Sequence, residues 1–83
     1  MTEVIMYTRS RFCPDSERAR RVFRRCGVAY VEVYIDQDAD AAAKVEAWNG
    51  GDRSVPTIDI DGIILTEPTE RELEKALGEK GLL

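Results

Sequence analysis

The stretch that decides the fold is VIMYTRSRFCPDS, residues 4–16. Its first four residues form a short apolar run of the kind buried in a parallel sheet, and Pro14 suits the first position of a helix. Cys13 is therefore expected at the N-cap of that helix, where its sulfur can accept hydrogen bonds from the N–H groups of Asp15 and Ser16. Because the helix dipole also favours an anion there, we expect a reactive thiolate. The alternative is a small capping residue without chemistry.

The helix that begins at Pro14 has an apolar face and a basic face, and Gly27 suits the residue that ends it. Cys26 lies on the apolar face and is expected in the core. It is about 20 Å from Cys13 along the helix, too far for a disulfide. The basic face predicts a solvated surface rather than a nucleic-acid site, because it carries no aromatic residues, while docking of an acidic partner stays open. Its members are Arg18, Arg20, Arg21, Arg24 and Arg25.

Strand-like and helix-like segments alternate along the rest of the chain, which predicts the order βαβαββα. The expected segments are a strand over Tyr30–Ile35 and a helix that opens at Asp36 or Asp38 and runs through Ala41, Val45 and Trp48. They continue with strands over Thr57–Ile60 and Ile63–Leu65 around the Asp61-Gly62 turn. A last helix starts with the capping box Thr69–Glu72 and ends near Gly78.

Length and composition limit the function classes. The 83 residues predict a single domain over 1–83, which we expect to be a monomer. The lack of histidine excludes Cys-His dyads and most zinc sites, so no metal ligands are assigned. The net charge of −4 argues against a nucleic-acid partner. No signal-like start or long apolar run is present, so we expect a cytoplasmic protein without membrane contact.

A second informative stretch is NGGDRSVPT, residues 49–57, which predicts a loop that ends in a proline. The Val55-Pro56 peptide suits a cis bond in a tight turn, although base rates for such bonds favour trans. The residues alone leave the isomer open.

These stretches together resemble the glutaredoxin family. The resemblance rests on Tyr7-Thr8-Arg9, Phe12-Cys13-Pro14 and residues 49–57, and the segment Leu65–Thr69 extends it towards the last helix. The mycoredoxin-like branch and its ribonucleotide-reductase-donor relatives are the most similar. The resemblance implies a thioredoxin-like fold with a four-stranded mixed sheet and three helices. It also implies thiol-disulfide exchange and a cis bond before Pro56.

The resemblance also implies the site. Cys13 and Ser16 take the catalytic positions, and the backbone of Val55 would pair with the substrate. Arg9 and Arg53 match residues that contact the carboxylates of a small thiol. The residues implied to bind the small thiol or the substrate are Arg9, Arg11, Phe12, Pro14, Arg53, Val55, Pro56, Thr66 and Thr69. No tightly bound cofactor is implied, and glutathione or a mycothiol-like thiol would serve as cosubstrate.

Two departures from the family pattern shape the expected mechanism. Ser16 replaces the second cysteine of dithiol members, which indicates a monothiol cycle on protein mixed disulfides, with the Ser16 hydroxyl bonded to the Cys13 sulfur. Thr66-Glu67 stands where many members carry Gly-Gly, which makes the small thiol itself an open question. The alternatives are a redox-inactive binding module of the same fold and, less favoured, a carrier of an iron–sulfur cluster held by Cys13 and a small thiol.

Overall fold

Seven elements follow one another in the predicted order in a computed structural model, which describes residues 2–83. They are β1 (Val4–Thr8), α1 (Pro14–Cys26), β2 (Val31–Tyr34), α2 (Ala39–Trp48), β3 (Thr57–Ile60), β4 (Ile63–Thr66) and α3 (Glu70–Glu79). No observed strand or helix boundary lies more than one residue from an expected one, and differences of this size are usual at the ends of such elements. None of these helices is long and apolar enough to cross a membrane.

The four strands form one mixed sheet in the order β2-β1-β3-β4, as expected. β1 is parallel to β2 and antiparallel to β3, which is antiparallel to β4. Tyr7 near the end of β1 pairs with Thr57 at the start of β3. The loop that follows β1 and the loop that precedes β3 therefore meet at the same edge of the sheet, which brings Cys13 and Pro56 towards each other.

The core lies on both faces of the sheet, because the side chains of β1 alternate between them. Met6 belongs to the cluster that contains Phe23 of α1 and Leu77 of α3. Tyr7 belongs to the cluster that contains Val45 of α2. The helices α1 and α3 thus cover one face and α2 covers the other.

The ends of the helices follow the local signals in the sequence. Gly27 takes a left-handed conformation with φ of 68° after α1, which a residue without Cβ adopts at no steric cost. The Asp38 carboxylate caps α2 by accepting from the N–H of Ala41 at 3.0 Å. Thr69 and Glu72 form the predicted capping box of α3.

The basic face of α1 is less solvated than the sequence predicts. Arg20 is 19% exposed and holds Glu32 of β2 through two hydrogen bonds of 2.9 Å. The guanidinium of Arg20 is the main reason that the pKa of Glu32 lies below its usual value. The expectation fails here because Arg20 reaches Glu32 of β2, a partner that the helical pattern alone does not reveal.

Two more arginines on this face have carboxylate partners. Arg18 pairs with Asp15 at 3.1 Å on the same helix, and Arg25 pairs with Glu70 and Glu74 of α3. The pairs of Arg25 link α1 to α3, and the pair between Arg20 and β2 links α1 to the sheet. Tertiary contacts therefore hold α1, the helix that carries Cys13 at its start.

Candidate active site around Cys13

Cys13 is the N-cap residue of α1, as predicted. Its backbone is extended, with φ of −139° and ψ of 118°, and its carbonyl accepts the first helical hydrogen bond from the N–H of Glu17 at 3.0 Å. The expected hydrogen bonds from first-turn N–H groups to its sulfur are absent, so that part of the prediction is wrong. The reason is packing, since the half-buried Cys13 side chain lies against the apolar cluster of α2 that includes Tyr7 and Val55.

Cys13 opens into a pocket of about 290 Å³. The structure brings together five residues that the sequence analysis assigned to binding, since the pocket is lined by Arg9, Arg11, Phe12, Pro14 and Val55 along with Cys13. Phe12 is 74% exposed and forms an apolar edge of the pocket mouth. Arg9 and Arg11 make the lining basic, which suits a ligand that carries a carboxylate.

The proline loop supplies the opposite wall of this pocket. The Val55-Pro56 peptide bond is cis, which confirms what the resemblance implies. Pro56 is buried, and its carbonyl accepts from the N–H of Glu67 at 2.8 Å. Within residues 2–83, the N–H and carbonyl of Val55 take part in no backbone hydrogen bond. Both groups are therefore available to an extended chain that lies in the pocket.

Ser16 does not bond to Cys13, so the expected contact is wrong. Its side chain is 0% exposed, and its oxygen lies 2.7 Å from the hydroxyl oxygen of Thr8, which is also 0% exposed. Ser16 is the third residue of α1, and its hydroxyl faces the end of β1 rather than the pocket, which Ser16 does not line. The sequence analysis names Thr8 only as part of the family motif, because no neighbouring residue indicates that its hydroxyl has a buried hydrogen-bond partner.

Arg9 and Arg53 lie in different surroundings, although both were assigned to carboxylate binding. The guanidinium of Arg9 donates to the carbonyl of Arg53 at 3.0 Å, which ties the Cys13 loop to the proline loop. The side chain of Arg53 pairs with Glu46 of α2 and lines a separate depression of about 410 Å³ beside the start of α2. Arg53 thus contributes its backbone rather than its charge to the Cys13 side.

A second tie fixes the loop between β1 and Cys13. The N–H of Ser10 donates to the carboxylate of Asp36 at 3.1 Å, and the Ser10 hydroxyl donates to the same group. The Ser10 hydroxyl is also the main cause that holds the pKa of Asp36 below its usual value. Sequence analysis considered Asp36 only as a helix start and missed this role, because the contact joins residues 26 positions apart.

Thr66 and Thr69 do not line the Cys13 pocket. The Thr66 hydroxyl bonds to the side chain of Asn49, and the Thr69 hydroxyl accepts from the N–H of Glu72 at 3.1 Å to cap α3. Between them, Glu67 has φ of 48°, a left-handed conformation that is costly for a residue with a Cβ. Glu67 is the second of the two positions at which many members of the family carry glycine.

Comparison with known proteins identifies relatives over most of the chain. A family model described as glutaredoxin matches residues 4–65. A Mycobacterium tuberculosis protein named "Putative glutaredoxin" is 37% identical over 73 residues, which are 87% of this chain and 86% of that protein.

Solved structures have the same architecture. The glutaredoxin of Archaeoglobus fulgidus is 27% identical, with a TM-score of 0.78 over 93% of this chain and 87% of that one. Oxidised glutaredoxin 2 of Chlamydomonas reinhardtii is 28% identical, with a TM-score of 0.71 over 99% of this chain and 85% of that one. The fold is therefore of the thioredoxin type.

Proposed function

The chain belongs to the glutaredoxin family, and from that premise we propose that it reduces mixed disulfides between proteins and a small thiol through Cys13. The observation that carries this proposal is the position of Cys13 at the start of α1, in a pocket shared with the residue before a cis proline. Thiol-disulfide exchange proceeds through the thiolate form of a cysteine, and the pocket leaves this one open to a disulfide substrate.

The proposed cycle has two exchange steps. In the first, the Cys13 thiolate attacks the small-thiol sulfur of a protein mixed disulfide, so that a Cys13–small-thiol disulfide forms. The protein thiolate leaves and takes up a proton from water. In the second, the thiolate of another small-thiol molecule attacks the small-thiol sulfur of this adduct. The two small thiols form the oxidised dimer, and Cys13 leaves as a thiolate. The net reaction converts one protein mixed disulfide and one free small-thiol molecule into a protein thiol and the oxidised small-thiol dimer.

The second thiol of the cycle comes from outside the chain. Cys26 ends α1 whereas Cys13 precedes its first residue, and the 13 residues of this helix span about 20 Å. A disulfide needs Cα atoms within about 7 Å, so the two cysteines cannot join while α1 is folded. Ser16 has no sulfur to resolve the adduct, and this supports a monothiol cycle in a reducing compartment such as the cytoplasm.

The pocket supports a small thiol that carries at least one negative charge. Arg11 is exposed and has no ion pair among the described residues, so its guanidinium is available to a carboxylate. Phe12 offers an apolar surface to the stem of the thiol, and the N–H and carbonyl of Val55 offer a short backbone pairing. Glutathione, which carries two carboxylates, is the candidate that this lining favours. Mycothiol, which carries none, is the second candidate because of the mycoredoxin-like pattern in the sequence.

Intact-protein mass spectrometry tests this proposal. The protein is mixed at pH 7 with a peptide that carries a glutathione or mycothiol mixed disulfide, and the free thiol is added afterwards. We expect one adduct of the small thiol on Cys13 and its removal by the added thiol. The Cys13→Ser variant should form no adduct, while the Cys26→Ser variant, the matched control, should behave like wild type. An adduct on Cys26 alone, or no adduct, would contradict the proposal.

The second candidate is a binding module that keeps the fold without turnover. The observation that favours it is the direction of the Ser16 hydroxyl, which bonds to Thr8 and gives no hydrogen bond to the Cys13 sulfur. The same experiment separates the two functions, because a binding module forms no adduct that free thiol removes.

A further inference from the structure

The exchange cycle leaves one buried polar contact without a role. The hydroxyls of Thr8 and Ser16 share a hydrogen bond with 2.7 Å between their oxygens, and both side chains are 0% exposed. Thr8 is the last residue of β1, and Ser16 lies in the first turn of α1. The contact therefore joins the end of β1 to the first turn of α1, three residues after Cys13.

The hydrogen bond closes the segment between these elements into a loop. Residues 9–15 run from Thr8 to Ser16 and include every pocket residue except Val55. The polar contacts that join this segment to other parts of the fold, from Arg9 to Arg53 and from Ser10 to Asp36, are exposed to solvent. A buried tie competes less with water than an exposed one, so the Thr8 contact fixes the loop more strongly.

Neither hydroxyl has a second hydrogen-bond partner among the described side-chain hydrogen bonds, since each of the two oxygens takes part only in the contact with the other. Removal of the Thr8 hydroxyl leaves that of Ser16 buried without a partner, which is unfavourable unless the first turn of α1 moves towards water. Such a movement displaces Cys13, because only Pro14 and Asp15 lie between it and Ser16.

We propose that Thr8 is a positioning residue that acts through Ser16 to hold Cys13 in its reactive place over the Val55-Pro56 loop. The inference rests on Cys13 being the nucleophile of the proposed function. It gives the hydroxyl at position 16 a role that does not require contact with the sulfur. In this chain a pair of hydroxyls anchors the start of α1.

The alkylation rate of Cys13 tests the proposal, with the modified residue located by peptide mapping. Thr8→Val removes the hydroxyl and keeps the shape of the side chain, whereas Thr8→Ser keeps the hydroxyl. We expect iodoacetamide to alkylate Cys13 about tenfold more slowly in Thr8→Val, the equivalent of about 1.4 kcal/mol. Thr8→Ser should restore most of the lost rate.

Cys26 reports on general loosening in the same samples. A fold that merely loosens exposes both half-buried cysteines and raises both alkylation rates, whereas loss of positioning slows Cys13 alone. An unchanged or faster Cys13 rate in folded Thr8→Val would overturn the proposal. If Thr8→Val does not fold, the double variant with Ser16→Ala removes both polar groups, and a wild-type Cys13 rate there would overturn it equally.

Alkylation needs no disulfide substrate, which keeps this test separate from that of the proposed function. A wild type that is alkylated rapidly at Cys13 but exchanges with no mixed disulfide contradicts the proposed function. The effect of Thr8→Val on the alkylation rate still decides the positioning role in that case.

Discussion

Replacement of Arg20 by methionine should lower the free energy of unfolding by about 2 kcal/mol at pH 7. Arg20 donates two hydrogen bonds of 2.9 Å to Glu32, and about four fifths of each side chain is buried. Exposed ion pairs contribute about 0.2–1 kcal/mol, while loss of one partner of a buried pair costs about 3–5 kcal/mol. The partly buried pair lies between these limits, and methionine preserves the packing of the stem.

Thermal unfolding followed by circular dichroism measures this effect. In a domain of this size, about 2 kcal/mol lowers Tm by about 8–16 °C. Arg21→Met is the matched control, because Arg21 is exposed and has no ion pair among the described residues, and it should change stability by less than about 0.5 kcal/mol. Equal melting temperatures for wild type and Arg20→Met would refute the reasoning.

The pH dependence adds a second check on the same pair. The pKa of Glu32 in the folded state lies below the usual 4.5, chiefly because of the hydrogen bond from Arg20. The stability that results is fully present above pH 4.5 and is lost as the pH falls through the lowered value. The difference between wild type and Arg20→Met should therefore shrink below pH 4.5, and a constant difference would contradict this origin.

Three further predictions concern the core, a helix cap and the pocket loop. Phe23→Ala should cost about 3–5 kcal/mol in urea unfolding, because its ring is fully buried and stacks on Tyr30 with centroids 4.5 Å apart; a loss below about 1 kcal/mol would contradict this packing. Thr69→Ala should cost about 1 kcal/mol in the same assay and Thr69→Ser much less, since the hydroxyl caps α3. Asp36→Ala should raise KM for a mixed-disulfide peptide with kcat unchanged, because it frees Ser10 at the pocket rim. Asp36→Asn keeps an acceptor oxygen and should have a smaller effect on KM. A fall in kcat alone would count against this role.

The order of elements was predictable because its signals are local. The apolar run of β1, the proline after Cys13 and the capping box at Thr69 each act over a few neighbouring residues. The same holds for Gly27, whose place after an amphipathic stretch marks the end of α1. All four signals led to elements that the structure contains.

The candidate site was predictable in part. The N-cap position of Cys13 follows from local signals, and the family resemblance implied the lining residues Arg9, Arg11 and Phe12, which lie in the same short loop. Thr8 and Asp36 escaped the sequence analysis, because their partners come from other elements. The direction of the Ser16 hydroxyl was predicted wrongly for the same reason, since helical spacing indicates only that Cys13 is near, while its actual partner Thr8 lies on β1.

The sequence by itself determined the element order, the helix ends and the position of Cys13 at the start of α1, because short-range sterics and backbone hydrogen bonding act within a few residues of each signal. Only the tertiary structure decided that Ser16 bonds to Thr8, that Arg20 binds Glu32, and that the Cys13 sulfur packs beside Val55 rather than on its own helix. These contacts join distant parts of the chain. The partner of each polar side chain is settled by which elements the sheet brings together and by what burial leaves unsatisfied.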